Sequence, residues 1–358
     1  MLNFTFSNKT TIHFGNDQIR KLAREINKNS KVLIVYGGGS IKKNGVYQRV
    51  METLSDHQTF EFSGIEPNPS YETTMKAVEL VKSENIDYIL AVGGGSVIDG
   101  CKFIAAAAHF EGEPWDILAK SAKVSSAVPL GVVLTLPATG SESNSYAVVS
   151  KLATQDKFAF GSPHVHPVFA ILEPQVMNTL PQRQLTNGIV DAFVHVMEQY
   201  LTYSVNAKVQ DRFSEGLLQT LIEEGPRIFT EPDNQAVKEN VMWSATMALN
   251  GLIGSGVPQD WSTHGIGHEV TALYGLDHAQ TLAIILPRMM SEMREEKQEK
   301  LLQYAQRIWS IDQGSNEQII DQAIEKTEQF FHSVHMKTRF SEYQLGKEIV
   351  DGITEQLM

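Results

Sequence analysis

The sequence predicts an α/β N-terminal domain built on a mostly parallel sheet, followed by an all-helical C-terminal domain. Three observations carry this. Short apolar, β-branched runs alternate with helical patterns up to about Leu172, as in sheets buried on both faces by helices. Two of those runs stop abruptly at the same Gly-Gly-Gly-Ser tetrapeptide, the form expected where a strand turns into a helix. From about Leu180 onward such runs become scarce and long amphipathic stretches replace them. At 358 residues the chain exceeds what one hydrophobic core usually serves, and ~150 residues per domain suggests two. Prolines 174 and 181 bracket a short connector, which places the domains at 1–178 and 179–358.

Taken in order, Lys31-Val32-Leu33-Ile34-Val35-Tyr36 is a strand ending at Gly37-Gly38-Gly39-Ser40, and Thr59–Phe62 is another. After the turn Glu66-Pro67-Asn68-Pro69, Met75, Val78 and Val81 recur at the spacing of one helical face. Tyr88–Val92 then runs into Gly93-Gly94-Gly95-Ser96, followed by a helix over Val97–His109. Further strands are expected at Gly131–Leu136, Ala147–Ser150 and Val168–Leu172, which together read as a Rossmann-like sheet. In the second half, Asp211–Ile222, Val237–Leu249 and Met293–Ile311 are expected to be helices.

Composition narrows the function classes. The 30 basic and 42 acidic side chains leave a net charge of −12, which would repel a phosphate backbone and argues against nucleic-acid partners. Cys101 is the only cysteine, which excludes an internal disulfide or a multi-cysteine metal site. No apolar run approaches the ~18 residues of a membrane span, and MLNFTFSNKTTIHFG lacks a basic-then-apolar signal. A soluble cytoplasmic protein with no membrane partner is the expectation.

The two glycine loops invite phosphate. Glycine lets backbone approach a ligand closely, and the following helix offers free N–H groups at its positive end. Neither loop is G-x-G-x-x-G or a P-loop, so two tight strand-to-helix turns is the plainer reading. Their duplication favours a dinucleotide site at the sheet's carboxyl edge. The first loop has no acid to accept bonds from a ribose 2′-OH, and Lys42-Lys43 follow it, which points to NADP(H). The same two lysines also fit simple solvated surface charge.

Asp191 and His195 are four residues apart in an otherwise apolar stretch, so they share one helical face and need a partner. A buried Asp–His hydrogen bond would serve. His264 and His268 repeat that spacing, and His278 follows. The H-x-x-x-H pair lacks the glutamate of the zincin protease pattern, because position 265 is glycine. One aspartate and three histidines would make an N₃O donor set suited to Zn²⁺ or Fe²⁺ with a position left open for substrate. His164 and His166, in Ser-Pro-His-Val-His-Pro, read as a structural loop.

These residues jointly resemble the iron-containing (group III) alcohol dehydrogenases, nearest their NADPH-dependent butanol dehydrogenase or aldehyde reductase branch. The resemblance spans nearly the whole chain. It rests on Gly37–Ser40, Glu66–Pro69, Gly93-Gly94-Gly95-Ser96-Val97-Ile98-Asp99, Thr135-Leu136-Pro137-Ala138-Thr139-Gly140-Ser141-Glu142, Asp191–His195, His264–His268 and Gly275–His278. It implies that Asp191, His195, His264 and His278 hold one divalent metal, Fe²⁺ or Zn²⁺, and that His268 is a non-ligand histidine associated with proton transfer. It implies that both glycine loops, with Asp99, Thr135, Thr139, Ser141, Asn144 and Lys157, line the nucleotide. The implied reaction is reversible hydride transfer between NADPH and an aldehyde or primary alcohol, in a homodimer, with substrate bound between the domains and Trp261 and Tyr146 as candidate lining residues. A glycerol dehydrogenase-like or dehydroquinate synthase-like enzyme is the nearest alternative. A nucleotide-binding sensor with a structural metal is the alternative outside enzymes.

Overall fold

The computed structural model describes residues 1–346 and 349–357. The chain forms two compact units, Ser7–Leu180 and Met1–Phe6 joined with Pro181–Met358.

In the first unit six strands form one parallel sheet: β1 (Thr11–Phe14), β2 (Lys31–Tyr36), β3 (Gln58–Ser63), β4 (Tyr88–Gly94), β5 (Leu130–Leu136) and β8 (Phe169–Leu172). Their spatial order is β1-β8-β5-β4-β2-β3. Val32–Val35, Ile89–Val92 and Val132–Leu134 are buried, which explains why these strands read as unbroken apolar runs. Helices α1 (Tyr71–Glu84) and α2 (Gly95–Ala108) are the long helices of this unit. Ser70 caps α1 by accepting a hydrogen bond from the Thr73 N–H. β2 and β4 are neighbours in register, Val35 opposite Ala91. Both glycine loops therefore leave adjacent strands at the same carboxyl edge.

The sheet departs from expectation at its margins. β1 was not foreseen: it is four residues long, sits at an edge and, among the described residues, pairs only with β8. Residues 147–150, expected in the parallel sheet, instead belong to β6 (Tyr146–Lys151). This strand forms a separate antiparallel ribbon with β7 (Asp156–Gly161). The polar pair Asp156-Lys157 hides β7 from an apolar-run criterion.

The second unit is helical, and no strand follows β8 among the described residues. Its longer helices are α3 (Gln182–Tyr200), α4 (Lys208–Glu224), α5 (Gln235–Ala248), α6 (Ser262–Tyr274), α7 (His278–Glu292), α8 (Gln298–Trp309) and α9 (Asn316–Ser333). The expected helix Met293–Ile311 is corrected: Met293 closes α7 and helix resumes only at Gln298. Residues 1–6, which the sequence places with the α/β part, belong here. The Leu2 N–H bonds the Gly256 carbonyl at 2.9 Å, and that contact attaches the N-terminal segment to the helices. Every residue of α3 from Gly188 to Tyr200 is buried. Ionisable groups on this helix must be satisfied by protein or a bound ion. Among the described residues no helix is long and apolar enough to cross a membrane.

Candidate active site

Three helices converge on one carboxylate oxygen. Asp191 and His195 lie one turn apart on buried α3, His264 comes from the first turn of α6, and His278 opens α7. The Nε2 atoms of His195, His264 and His278 stand 3.7, 3.9 and 3.7 Å from Asp191 Oδ1. Those separations exceed hydrogen-bond length. They are close to the edge of a tetrahedron whose centre lies ~2.0–2.2 Å from each donor, the bond length of a divalent ion to nitrogen or oxygen. The donor atoms of Asp191, His195 and His264 all lie within 4.8 Å of one another. His278 stands outside that tight group and is the more exposed ligand candidate, reaching the cluster through Asp191. Burial pushes His195 down to about 4, so it is a neutral imidazole at neutral pH, the form that ligates. An N₃O set of this kind fits Fe²⁺ or Zn²⁺.

The surrounding sequence explains the convergence. A Cβ on Gly267 would lie 2.7 Å from Thr281 Oγ1, so only glycine lets α6 approach α7 this closely. The His264 and His278 rings consequently sit 5.0 Å apart. Asp277 caps α7 in a capping box with Gln280, and its carboxylate also accepts bonds from Arg183 (2.5 Å) and Asn187 (2.8 Å). Asn187 lies four residues before Asp191 on α3, so the start of α7 is tied to the helix that carries the aspartate.

His268 lies on α6 near the cluster but outside it, its ring 5.2 Å from that of His278 and 6.2 Å from that of His264. The Trp261 ring is 5.3 Å from His264. Tyr146 is exposed on β6 in the other unit, and His164 and His166 lie at a short helical turn there, where His166 Nδ1 contacts Thr10 Oγ1. Sequence reasoning missed Glu198, one turn beyond His195, which bonds both the ring Nδ1 and the backbone N–H of His264. Its visible signal is a second acid, seven residues after Asp191, in the same apolar helical stretch.

In the α/β unit, Gly39 adopts φ 88° and turns the chain into the short helical segment Ser40–Lys43. Cβ atoms on Gly38 or Gly39 would meet nothing within 4 Å, so this loop is open on its outer side. α2 begins at Gly95, which leaves the N–H groups of Gly95 and Ser96 in its first turn. Lys42 is not simply solvated: its Nζ is 3.5 Å from the Glu61 carboxylate and lies over the Tyr36 and Tyr47 rings. Lys43 is exposed. Thr135 is buried at the end of β5, and Lys157 donates to Asn68 Oδ1 at 2.9 Å.

Asp99, Ser141 and Asn144 come together around a fourth residue that sequence reasoning left out. Lys102, fully buried on α2, donates to Ser141 Oγ (2.8 Å), Asn144 Oδ1 (3.0 Å) and the Tyr146 carbonyl (2.7 Å). Asp99 accepts from Ser141 Oγ at 2.6 Å and from the Val148 N–H at 2.9 Å. Thr139 Oγ1 accepts the Ser141 N–H at 3.2 Å. Burial lowers Lys102 to about 8 and raises Asp99. The network clamps residues 139–148 onto α2. Lys102→Met is expected to destabilise the protein by about 3–5 kcal/mol, the loss typical of breaking a buried charge network. Urea unfolding followed in the wild type and the variant measures it, and a loss under about 1 kcal/mol would contradict the clamp.

A parallel-sheet unit with glycine loops on adjacent strands, in one chain with a helical unit that carries an Asp-His cluster, is the architecture of a metal-dependent dehydrogenase. Comparison with known proteins agrees. The profile described as iron-containing alcohol dehydrogenase matches residues 9–174, and that of the Fe-containing alcohol dehydrogenase family C-terminal region matches 185–358. The chain belongs to the iron-containing alcohol dehydrogenase family. It is 54% identical over 360 residues to the NADPH-dependent aldehyde reductase YqhD of Escherichia coli, covering 100% of this chain and 93% of that protein. It is 36% identical to the NADH-dependent butanol dehydrogenase A of Clostridium acetobutylicum, covering 99% and 93%. The crystal structure of Escherichia coli YqhD superposes with a TM-score of 0.98 at 54% identity, covering 99% and 92% of the two chains. That of a butanol dehydrogenase A from Thermotoga maritima gives 0.95 at 35% identity, covering 99% and 90%.

Proposed function

We propose that this protein is a cytoplasmic, NADPH-dependent reductase of aldehydes that also runs in reverse on primary alcohols, with one divalent metal held by Asp191, His195, His264 and His278. The observation that carries the reading is the set of three imidazole Nε2 atoms around Asp191 Oδ1. The whole-length likeness to an NADPH-dependent aldehyde reductase supports the same substrate class. Bound NADPH would supply the hydride, and the divalent ion would polarise the carbonyl oxygen that receives the resulting charge. Asp191 and the three imidazoles would hold that charge centre. His268, its ring 5.2 Å from that of His278, would hand on a proton. Gly37–Ser40 and the first turn of α2 offer backbone N–H groups to the cofactor's phosphates. Exposed Met1, Leu2, Phe4 and Phe6 support burial against a second copy, as a homodimer.

The test is NADPH oxidation with butanal before and after metal removal, with NADH and glycerol as parallel arms and elemental analysis of the fresh protein. Turnover of butanal with NADPH that disappears with the metal is expected. Turnover of glycerol in preference to butanal, or no turnover at all, would overturn the reading.

Cofactor choice has its own test. The first loop has no carboxylate for a 2′-OH, whereas Ser40 and open backbone can receive a 2′-phosphate. Gly39→Asp would repel that phosphate and favour NADH, with strain of about 1–3 kcal/mol from the left-handed backbone. Gly39→Asn carries the same strain without the charge. The ratio of kcat/KM for NADPH to that for NADH is expected to fall at least ~10-fold in the aspartate variant beyond any fall in the asparagine one, a difference of about 1.4 kcal/mol. Equal ratios in the two variants, or a wild-type preference for NADH, would defeat the assignment.

A further inference from the structure

Glu198 stands at the junction of α3 and α6, and its carboxylate makes two kinds of bond. Oε1 accepts the His264 backbone N–H at 3.1 Å, and the Thr263 N–H bonds the same group. These donors belong to the first turn of α6, where N–H groups have no partner within the helix. They are also the positive end of its dipole and favour the ionised acid, while burial is the larger influence and pushes it up to about 8. Oε2 meets Nδ1 of the His264 ring. The backbone carbonyl of Glu198 is fixed in turn by the Asp260 N–H at 3.0 Å, and Glu198 itself is buried.

We propose that Glu198 is a positioning residue for the metal centre, its carboxylate fixing the proton of His264 on Nδ1 so that Nε2 is left to ligate. A neutral imidazole that ligates through Nε2 carries its one hydrogen on Nδ1, the nitrogen that Oε2 meets, and the carboxylate accepts that N–H. The opposite nitrogen then presents its lone pair towards Asp191 Oδ1, 3.9 Å away. The same contact sets the ring's rotation, because the acid is held from behind by the start of α6. Carboxylates of this kind behind ligating histidines raise metal affinity by orienting the ring and increasing its basicity. This rests on the metal reading above.

A plain helix cap would use the same backbone bonds, so the test must separate capping from ring control. Glu198→Gln does so. Its amide oxygen can still accept the α6 N–H groups, while its NH₂ faces Nδ1 and donates to it. The ring proton is thereby driven to Nε2, the ligand nitrogen. Metal-free wild type and variant are titrated with Co²⁺, reading the visible absorption band and the dissociation constant, and their metal-free thermal midpoints are measured alongside. The expected result is a loss of Co²⁺ affinity of ~10–100-fold with a changed band and an essentially unchanged metal-free midpoint. Glu198→Ala, which removes both functions, should lose affinity and lower the midpoint together. Wild-type affinity in Glu198→Gln, or a loss seen only where the midpoint falls in step, overturns the proposal. Wild-type protein that binds no Co²⁺ overturns the metal reading itself, and this inference with it.

Discussion

His195→Ala and His264→Ala are each expected to purify without metal and to lose at least ~10³-fold in aldehyde turnover. The size follows from Lewis-acid stabilisation worth several kcal/mol, at 1.36 kcal/mol per tenfold. Both imidazoles are buried against Asp191, so neither has a neighbour that could replace it without moving a helix. Metal per chain by elemental analysis and initial rates with butanal and NADPH make the measurement, beside the thermal midpoint of metal-free wild type. Normal metal content in both variants, or full turnover from metal-free protein, would remove these residues from the ligand set.

His268→Ala is expected to behave differently. Its ring lies 5.2 Å from that of His278, and the four-donor set of Asp191, His195, His264 and His278 is complete without it, so metal content should stay at the wild-type level. General acid–base help of the size histidine usually provides predicts a fall in kcat of ~10²–10⁴-fold, with cofactor binding preserved. Elemental analysis and NADPH titration by fluorescence separate the two effects. A variant that purifies without metal would move His268 into the ligand list. An unchanged kcat would end its role in proton transfer.

Much of the architecture was legible because local signals and tertiary outcome agree. The runs at 31–36, 88–92 and 131–136 are strands buried on both faces, so hydrophobicity alone marks them. The break between α7 and α8 was not. Met293-Arg294-Glu295-Glu296-Lys297 contains good helix formers and neither glycine nor proline, so nothing local announces a stop and tertiary context overrides propensity. The site divides along the same line. Asp191 and His195 declare themselves by four-residue spacing, whereas His278 joined them only through family resemblance. Lys102 and Glu198 stand out as charges in apolar helices. Their partners lie 39 and 66 residues away in sequence, a pairing that only the folded chain reveals.

The strand order has a consequence for how the α/β unit comes into being. β1, the earliest of these strands in chain order, pairs with β8, the latest, and among the described residues with no other strand. A chain emerging from the ribosome can pair β2 with β3 and β4 early, but Thr11–Phe14 must wait until Phe169–Leu172 has been synthesised. Closing so long a loop carries a conformational entropy cost that grows with the logarithm of its length, and distant pairings of this kind slow folding. Until then the edge of β8's future place is an open row of backbone donors and acceptors, the stage at which a nascent chain is most exposed to mispairing with its neighbours.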